Sequence, residues 1–175
     1  FDYLQESGRT QDEKRTLISD WIAHNAPGAT DAWEPYTVSL RLVNWIKFFM
    51  KEGDRLPEEW LDSVYTHAQW LEQNLEYHLL ANHYLKNGVA LFFAGVYFEG
   101  TDAARWLAKG RQILADELDE QFLSDGGHYE RSPMYHAISL VDYLDVLNLM
   151  TGSQRALHFD EQQRFTSRIH EALRF

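Results

Sequence analysis

Val89-Ala90-Leu91-Phe92-Phe93-Ala94-Gly95-Val96 contains no polar side chain. A helix that is apolar around its whole circumference has to be covered on every side. This stretch belongs to a helical segment over about 82–98 that has almost no polar face. Two other segments share its character. Residues 35–51 carry Leu40, Leu42, Val43, Trp45, Ile46, Phe48, Phe49 and Met50 around most of the helix. Residues 133–150 are mostly apolar, with one polar stripe of Asp142, Asp145 and Asn148. The segments between and outside them are different. Residues 11–25, 57–75, 102–122 and 160–173 are amphipathic, with one apolar stripe each.

The order is therefore outer, inner, outer, inner, outer, inner, outer, joined by short turns and without a convincing strand. One-sided helices that alternate with fully buried ones predict helical hairpins in two concentric layers, an all-α arc of an α/α toroid. An ordinary bundle would give every helix a similar single stripe. Closing such a ring takes about twice this many helices. Residues 1–175 are accordingly read as one helical domain forming part of a larger toroid. The chain begins at Phe1 and not at Met, which fits a piece of a longer protein.

The chain is 45% apolar and 14% aromatic, which supplies a substantial core. No apolar run is long enough to insert into a membrane. A net charge of −11 argues against general affinity for nucleic acid or anionic membranes, yet leaves room for an anion held by a local basic site. With no Cys there is neither a disulfide framework nor a thiolate metal site.

In a two-layer arc the inner helices run in one direction, so their N-termini share one rim. The unusual residues gather at those N-termini: Trp33, Glu34 and Tyr36, then Asn82 and His83, then His128 to His136. The last group lies in Asp125-Gly126-Gly127-His128-Tyr129-Glu130-Arg131-Ser132-Pro133-Met134-Tyr135-His136, with Ser132 as N-cap and Pro133 in the first turn. Such a loop combines flexible backbone, hydrogen-bond donors and proton carriers, and a helix N-terminus favours an anion.

Asn82 and Lys86 share one helix face, and His83 and Asn87 another. An Asn amide and an imidazole N–H can hold a carboxylate without a metal. The plainer reading makes Asn82 an N-cap and His83 a surface residue. A Tyr135 hydroxyl can move a proton if nearby cations such as Arg131 lower its pKa; the plainer reading makes it a core residue with its hydroxyl satisfied. His78 and His83 are wrongly spaced for a metal, so no metal is expected. Glu34 with Asp125 or Glu130 forms a possible acid pair of the kind a glycoside hydrolase uses.

Three motifs in order, 33–47, 82–95 and 125–136, resemble the N-terminal domain of the heparinase II/III family over nearly the whole chain. That resemblance implies an α/α toroid followed by a β-sandwich domain, and cleavage of a uronic-acid-containing polysaccharide by β-elimination without a cofactor. It implies that Asn82, with His83 beside it, neutralises the uronate carboxylate and that Tyr135 is the catalytic acid and base. It also implies that His128 and Arg131 line the cleft, with His136 following Tyr135 as in the family. Read from the residues, Trp33, Tyr36 and Tyr129 could stack on sugar rings, although core packing is the commoner use of such side chains, and Glu34 and Lys86 are further substrate-binding candidates at the rim. The resemblance places the protein in the bacterial periplasm or outside the cell. Two other functions stay open: a hydrolase using Glu34 and Glu130, and a non-catalytic carbohydrate-binding domain of a polysaccharide export system.

Overall fold

The computed structural model describes residues 2–53, 56–79, 81–153 and 159–175. Seven α-helices follow in order: α1 Gln11–His24, α2 Pro35–Glu52, α3 Glu58–Gln73, α4 Ala81–Tyr97, α5 Thr101–Gln121, α6 Pro133–Gly152 and α7 Phe159–Arg174. Their bounds lie within two residues of those read from the sequence. Local chemistry explains the sharp starts. Thr10 and Glu13 form a reciprocal capping box on α1, with the Thr10 N–H donating to Glu13 Oε2 at 2.8 Å. Pro35 and Pro133 open α2 and α6, where a missing N–H costs nothing. The only β feature among the described residues is one antiparallel bridge between Phe122 and His128.

Helix α4 is buried without interruption from Leu85 to Val96. It packs against α2, α3, α5 and α6. Three glycines set its distance from α5. A Cβ on Gly88 would lie 2.5 Å from Ile113 Cγ2, and one on Gly110 would lie 2.6 Å from the Phe92 backbone nitrogen. Gly95 faces the backbone of Leu107 in the same way. The two backbones touch where side chains would otherwise stand.

The inner helices run parallel. Lys47 of α2 pairs with Asp145 of α6, and each stands twelve residues beyond the first residue of its helix. α4 lies between them, with Asn87 Nδ2 donating to Ser39 Oγ of α2 at 3.1 Å and Lys86 pairing with Asp142 of α6. Helix α6 departs from the expectation of burial all round. Ser139, Asp142, Tyr143, Val146, Leu149 and Met150 are buried, whereas Met134 and Val141 are more than half exposed. α4 and α7 cover two of its sides, and no described helix covers the third. Within its polar stripe Asp142 and Asp145 turn onto Lys86 and Lys47, whereas Asn148 stays exposed.

Behind α2 the core holds an ionisable pair. Arg41 is 1% exposed and its guanidinium carbon lies 3.8 Å from the centre of the Trp21 ring. Arg41 Nε donates to His67 Nε2 at 2.7 Å, and His67 Nδ1 donates to the Ser63 carbonyl at 2.5 Å. A ring that accepts at Nε2 is neutral. Burial, with the Arg41 charge adding to it, pushes the His67 pKa down to about 3. The unfolded chain protonates this residue below about 6.5 and the folded chain does not. Stability from this source is therefore intact above that pH and falls as pH drops from about 6.5 toward 3, by about 1.4 kcal/mol per pH unit.

Two outcomes are expected in urea denaturation. Gly110→Ala lowers stability by about 1–3 kcal/mol because backbone and not a flexible side chain stands in the way, while Gly152→Ala, with open space around it, does not. Between pH 7 and pH 5 the wild-type protein loses about 2 kcal/mol more than His67→Gln, since the variant lacks the titrating ring.

Candidate active site

The N-terminal rim of α2, α4 and α6 brings four of the expected residues together. Tyr36 comes from the first turn of α2. Its ring lies 4.5 Å from that of His83 at an interplanar angle of 33°. Its side chain is hydrogen-bonded to that of Asn82. Burial raises the Tyr36 pKa, the nearby Asp142 charge adds to this, and the bond to Asn82 works against it; the Tyr135 hydroxyl and Glu76 also lie within its electrostatic field. Tyr135 stands in the first turn of α6, where its N–H reaches the Ser132 cap at 3.5 Å. Tyr36, Asn82, His83 and Tyr135 are all half-buried. Asn82 and His83 lie inside α4, so Asn82 is not the N-cap of its helix.

Two residues next to this rim hold left-handed backbone without being glycine: Ala81 at φ 50° and Arg131 at φ 54°. Each such conformation costs about 1 kcal/mol or more, and surrounding structure has to impose it.

Beside Tyr135 a cavity of about 640 Å³ is lined by Asp125, His128, Arg131, Pro133, His136 and Phe175, among others. Arg131 is exposed at its edge. His136 Nε2 donates to the Ala172 carbonyl at 3.1 Å, while its buried Nδ1 has no partner. His128 is 3% exposed. Its Nδ1 accepts from the Glu130 N–H at 3.3 Å and its Nε2 donates to Gln121 Oε1 at 3.2 Å. Both nitrogens are thus used, and burial lowers the pKa of the ring. His128 lies nearly parallel to Tyr135, with ring centres 6.4 Å apart, so it backs that residue and has no free donor for a ligand. Tyr129 is 39% exposed, and its hydroxyl reaches Glu130 at 3.3 Å.

Two expectations need correction. Trp33 is not an exposed stacking platform. It is 3% exposed and stacked on His67, with ring centres 4.4 Å apart, inside the aromatic cluster of Trp21 and Trp70. Lys86 is not an open cation. It is 8% exposed and bound to Asp142, which is 4% exposed. Burial raises the Asp142 pKa, and Lys86 opposes that shift. Glu34 remains exposed, and its side chain makes no capping bond. Glu130 is exposed too, and Asp125 accepts from the Gly127 N–H at 2.9 Å. Among the described residues no three His, Asp or Glu side chains gather as a metal site would require.

One member of the cluster was not singled out from the sequence. Glu76, in the connection between α3 and α4, accepts from His83 Nδ1 at 3.0 Å and from Asn87 Nδ2 at 2.9 Å. It lies seven residues before His83 in a stretch without helical period, so spacing gave no sign of it.

An all-α arc with polar residues gathered at one rim of its parallel inner helices is part of an α/α toroid domain. The chain belongs to the heparinase II/III family: the family model for the heparinase II/III N-terminus matches residues 8–175. It is 28% identical over 151 residues to a heparin-sulfate lyase of Bacteroides thetaiotaomicron, a match that covers 79% of this chain and 21% of that protein. It is 28% identical over 156 residues to a heparin-sulfate lyase of Pedobacter heparinus, covering 82% of this chain and 23% of the relative. The chain thus spans between a fifth and a quarter of the length of these relatives. The crystal structure of heparinase III superimposes with a TM-score of 0.74 at 26% identity, over 96% of this chain and 27% of that one.

The Lys86–Asp142 pair gives a test of the inner wall. Asp142→Ala or Lys86→Ala alone leaves a buried charge without its partner and is expected to cost about 3 kcal/mol. Replacing both with apolar residues is expected to recover much of that loss, which a double-mutant cycle in urea measures.

Proposed function

We propose that this chain is the N-terminal arc of a polysaccharide lyase that cleaves a uronic-acid-containing polysaccharide by β-elimination. One observation carries the reading: Tyr36, Asn82, His83 and Tyr135 converge from three different helices on one rim. The chemistry requires such a set. The proton on C5 of a uronate is weakly acidic, and hydrogen bonds to the carboxylate stabilise the charge that develops as it leaves. Asn82 and His83 would supply those bonds. Tyr135 would move the proton, as base at C5 and as acid at O4, and the electron pair forms the C4=C5 double bond as the C4–O4 bond breaks. Arg131 and His136 line the neighbouring cavity, where a further acidic sugar would lie, and Tyr36 and Tyr129 offer aromatic surface at its edges.

The names of the relatives make heparan-type glycosaminoglycans the first substrates to try. A β-sandwich domain and the remainder of the toroid would complete the cleft, and the substrate class would place the protein in the periplasm or outside the cell.

The test uses the full-length protein and a panel of heparan sulfate, hyaluronan, alginate and bacterial exopolysaccharides. The ultraviolet absorbance of the conjugated unsaturated uronate reports elimination. Tyr135→Phe is expected to lower kcat by about a hundred-fold or more, and Asn82→Ala by a similar factor. Reducing ends released without that absorbance would point to hydrolysis through Glu34 and Glu130. Polysaccharide binding without cleavage would point to a binding domain.

A further inference from the structure

Glu76 is 5% exposed, and its two side-chain oxygens serve two different donors. Oε1 accepts from His83 Nδ1 at 3.0 Å and Oε2 from Asn87 Nδ2 at 2.9 Å. The orientation of Asn87 is fixed independently. Its Oδ1 accepts from the Glu76 backbone N–H at 2.9 Å, and its Nδ2 also reaches Ser39 Oγ at 3.1 Å. The amide therefore cannot turn over without losing bonds at both ends. A carboxylate only accepts, so His83 Nδ1 carries a hydrogen. A neutral imidazole has one N–H, which makes Nε2 the lone-pair nitrogen. The His83 side chain is 39% exposed and one ring face rests on Tyr36. Nε2 forms no hydrogen bond with the described residues.

We propose that Glu76 is a positioning residue of the uronate site: it commits Nδ1 of His83, so that Nε2 alone addresses the substrate. This rests on the lyase reading above. A bare lone pair would repel a carboxylate, whereas an imidazolium between two carboxylates is favoured by both. The groups around the ring fit this arrangement. Glu76 approaches from the α3–α4 connection and Tyr36 from α2. Lys86, one turn along α4, is already bound to Asp142, and Asp142 and Tyr135 of α6 lie within the field of Tyr36. Glu76 is the acceptor on Nδ1. The arrangement keeps a substrate-facing imidazole in one orientation, as the supporting shell of a metal-bound histidine does.

The experiment is a nitrogen NMR measurement on full-length protein labelled with 15N-histidine, using His83→Gln to assign the signal. The wild-type neutral ring is expected to carry its proton on Nδ1. In Glu76→Gln the amide oxygen stays with Asn87 Nδ2, which can only donate. The new NH2 then faces His83 Nδ1, which has to accept, so the proton moves to Nε2. The expected result is a reversed tautomer together with a loss of about ten- to a hundred-fold in kcat/KM. An Nε2–H tautomer in the wild type overturns the proposal. So does a Glu76→Gln protein that keeps the wild-type tautomer, or one that reverses it at an unchanged rate. If Glu76→Gln does not fold, the wild-type spectrum decides alone. If the full-length protein has no lyase activity, the kinetic arm falls with the lyase reading, while the spectrum still tells whether Glu76 holds His83.

Discussion

The structure depends on the closeness of α4 to α5. Gly88, Gly95 and Gly110 remove the side chains that would hold the two helices apart, and the contact becomes backbone against backbone. Dispersion between close-packed atoms is weak per pair and large in sum. A helix with no polar face has no other way to leave water. Once α4 is enclosed, α2 and α6 fall on either side of it and run in its direction. Their first turns then meet at one rim, and the separation between Tyr36, Asn82, His83 and Tyr135 follows from helix packing, not from loop conformation.

Charges inside this apolar frame follow one rule: each is answered locally. Lys86 answers Asp142, Lys47 answers Asp145, and Arg41 sits against Trp21 with a neutral His67 as acceptor. Buried ion pairs contribute little net stability because desolvation offsets attraction. Their value here is registry. Lys47 with Asp145 and Lys86 with Asp142 fix α2, α4 and α6 along their axes, so the rim residues stay level with one another.

The helices were legible because their boundaries carry strong local chemistry. Thr10 with Glu13, Pro35, and Ser132 with Pro133 each satisfy or omit a free N–H. The two-layer order was legible because full and one-sided apolar patterns differ plainly. Helix α6 misled, since its composition resembles that of α4, yet Met134 and Val141 face outward. Composition reports what a helix could bury and not which neighbours are present. Trp33 misled for a related reason: an aromatic beside a helix start looks the same in sequence whether it faces a ligand or stacks on His67. Glu76 was invisible because its partners, His83 and Asn87, are reached by a loop that no periodicity describes. The convergence of the rim residues followed from topology, whereas the hydrogen bonds that orient them required coordinates.

Ala81 and Arg131 hold left-handed backbone at two of the three places where the chain enters the rim. Side chains larger than hydrogen restrict the alternatives open to a loop far more than glycine does. The unfavourable conformations are imposed by folding, before any ligand arrives. The cleft therefore meets its ligand with little left to order, and the entropy that binding would otherwise lose has already been surrendered. On the lyase reading proposed above, the polymer's own loss of freedom then becomes the main entropic term.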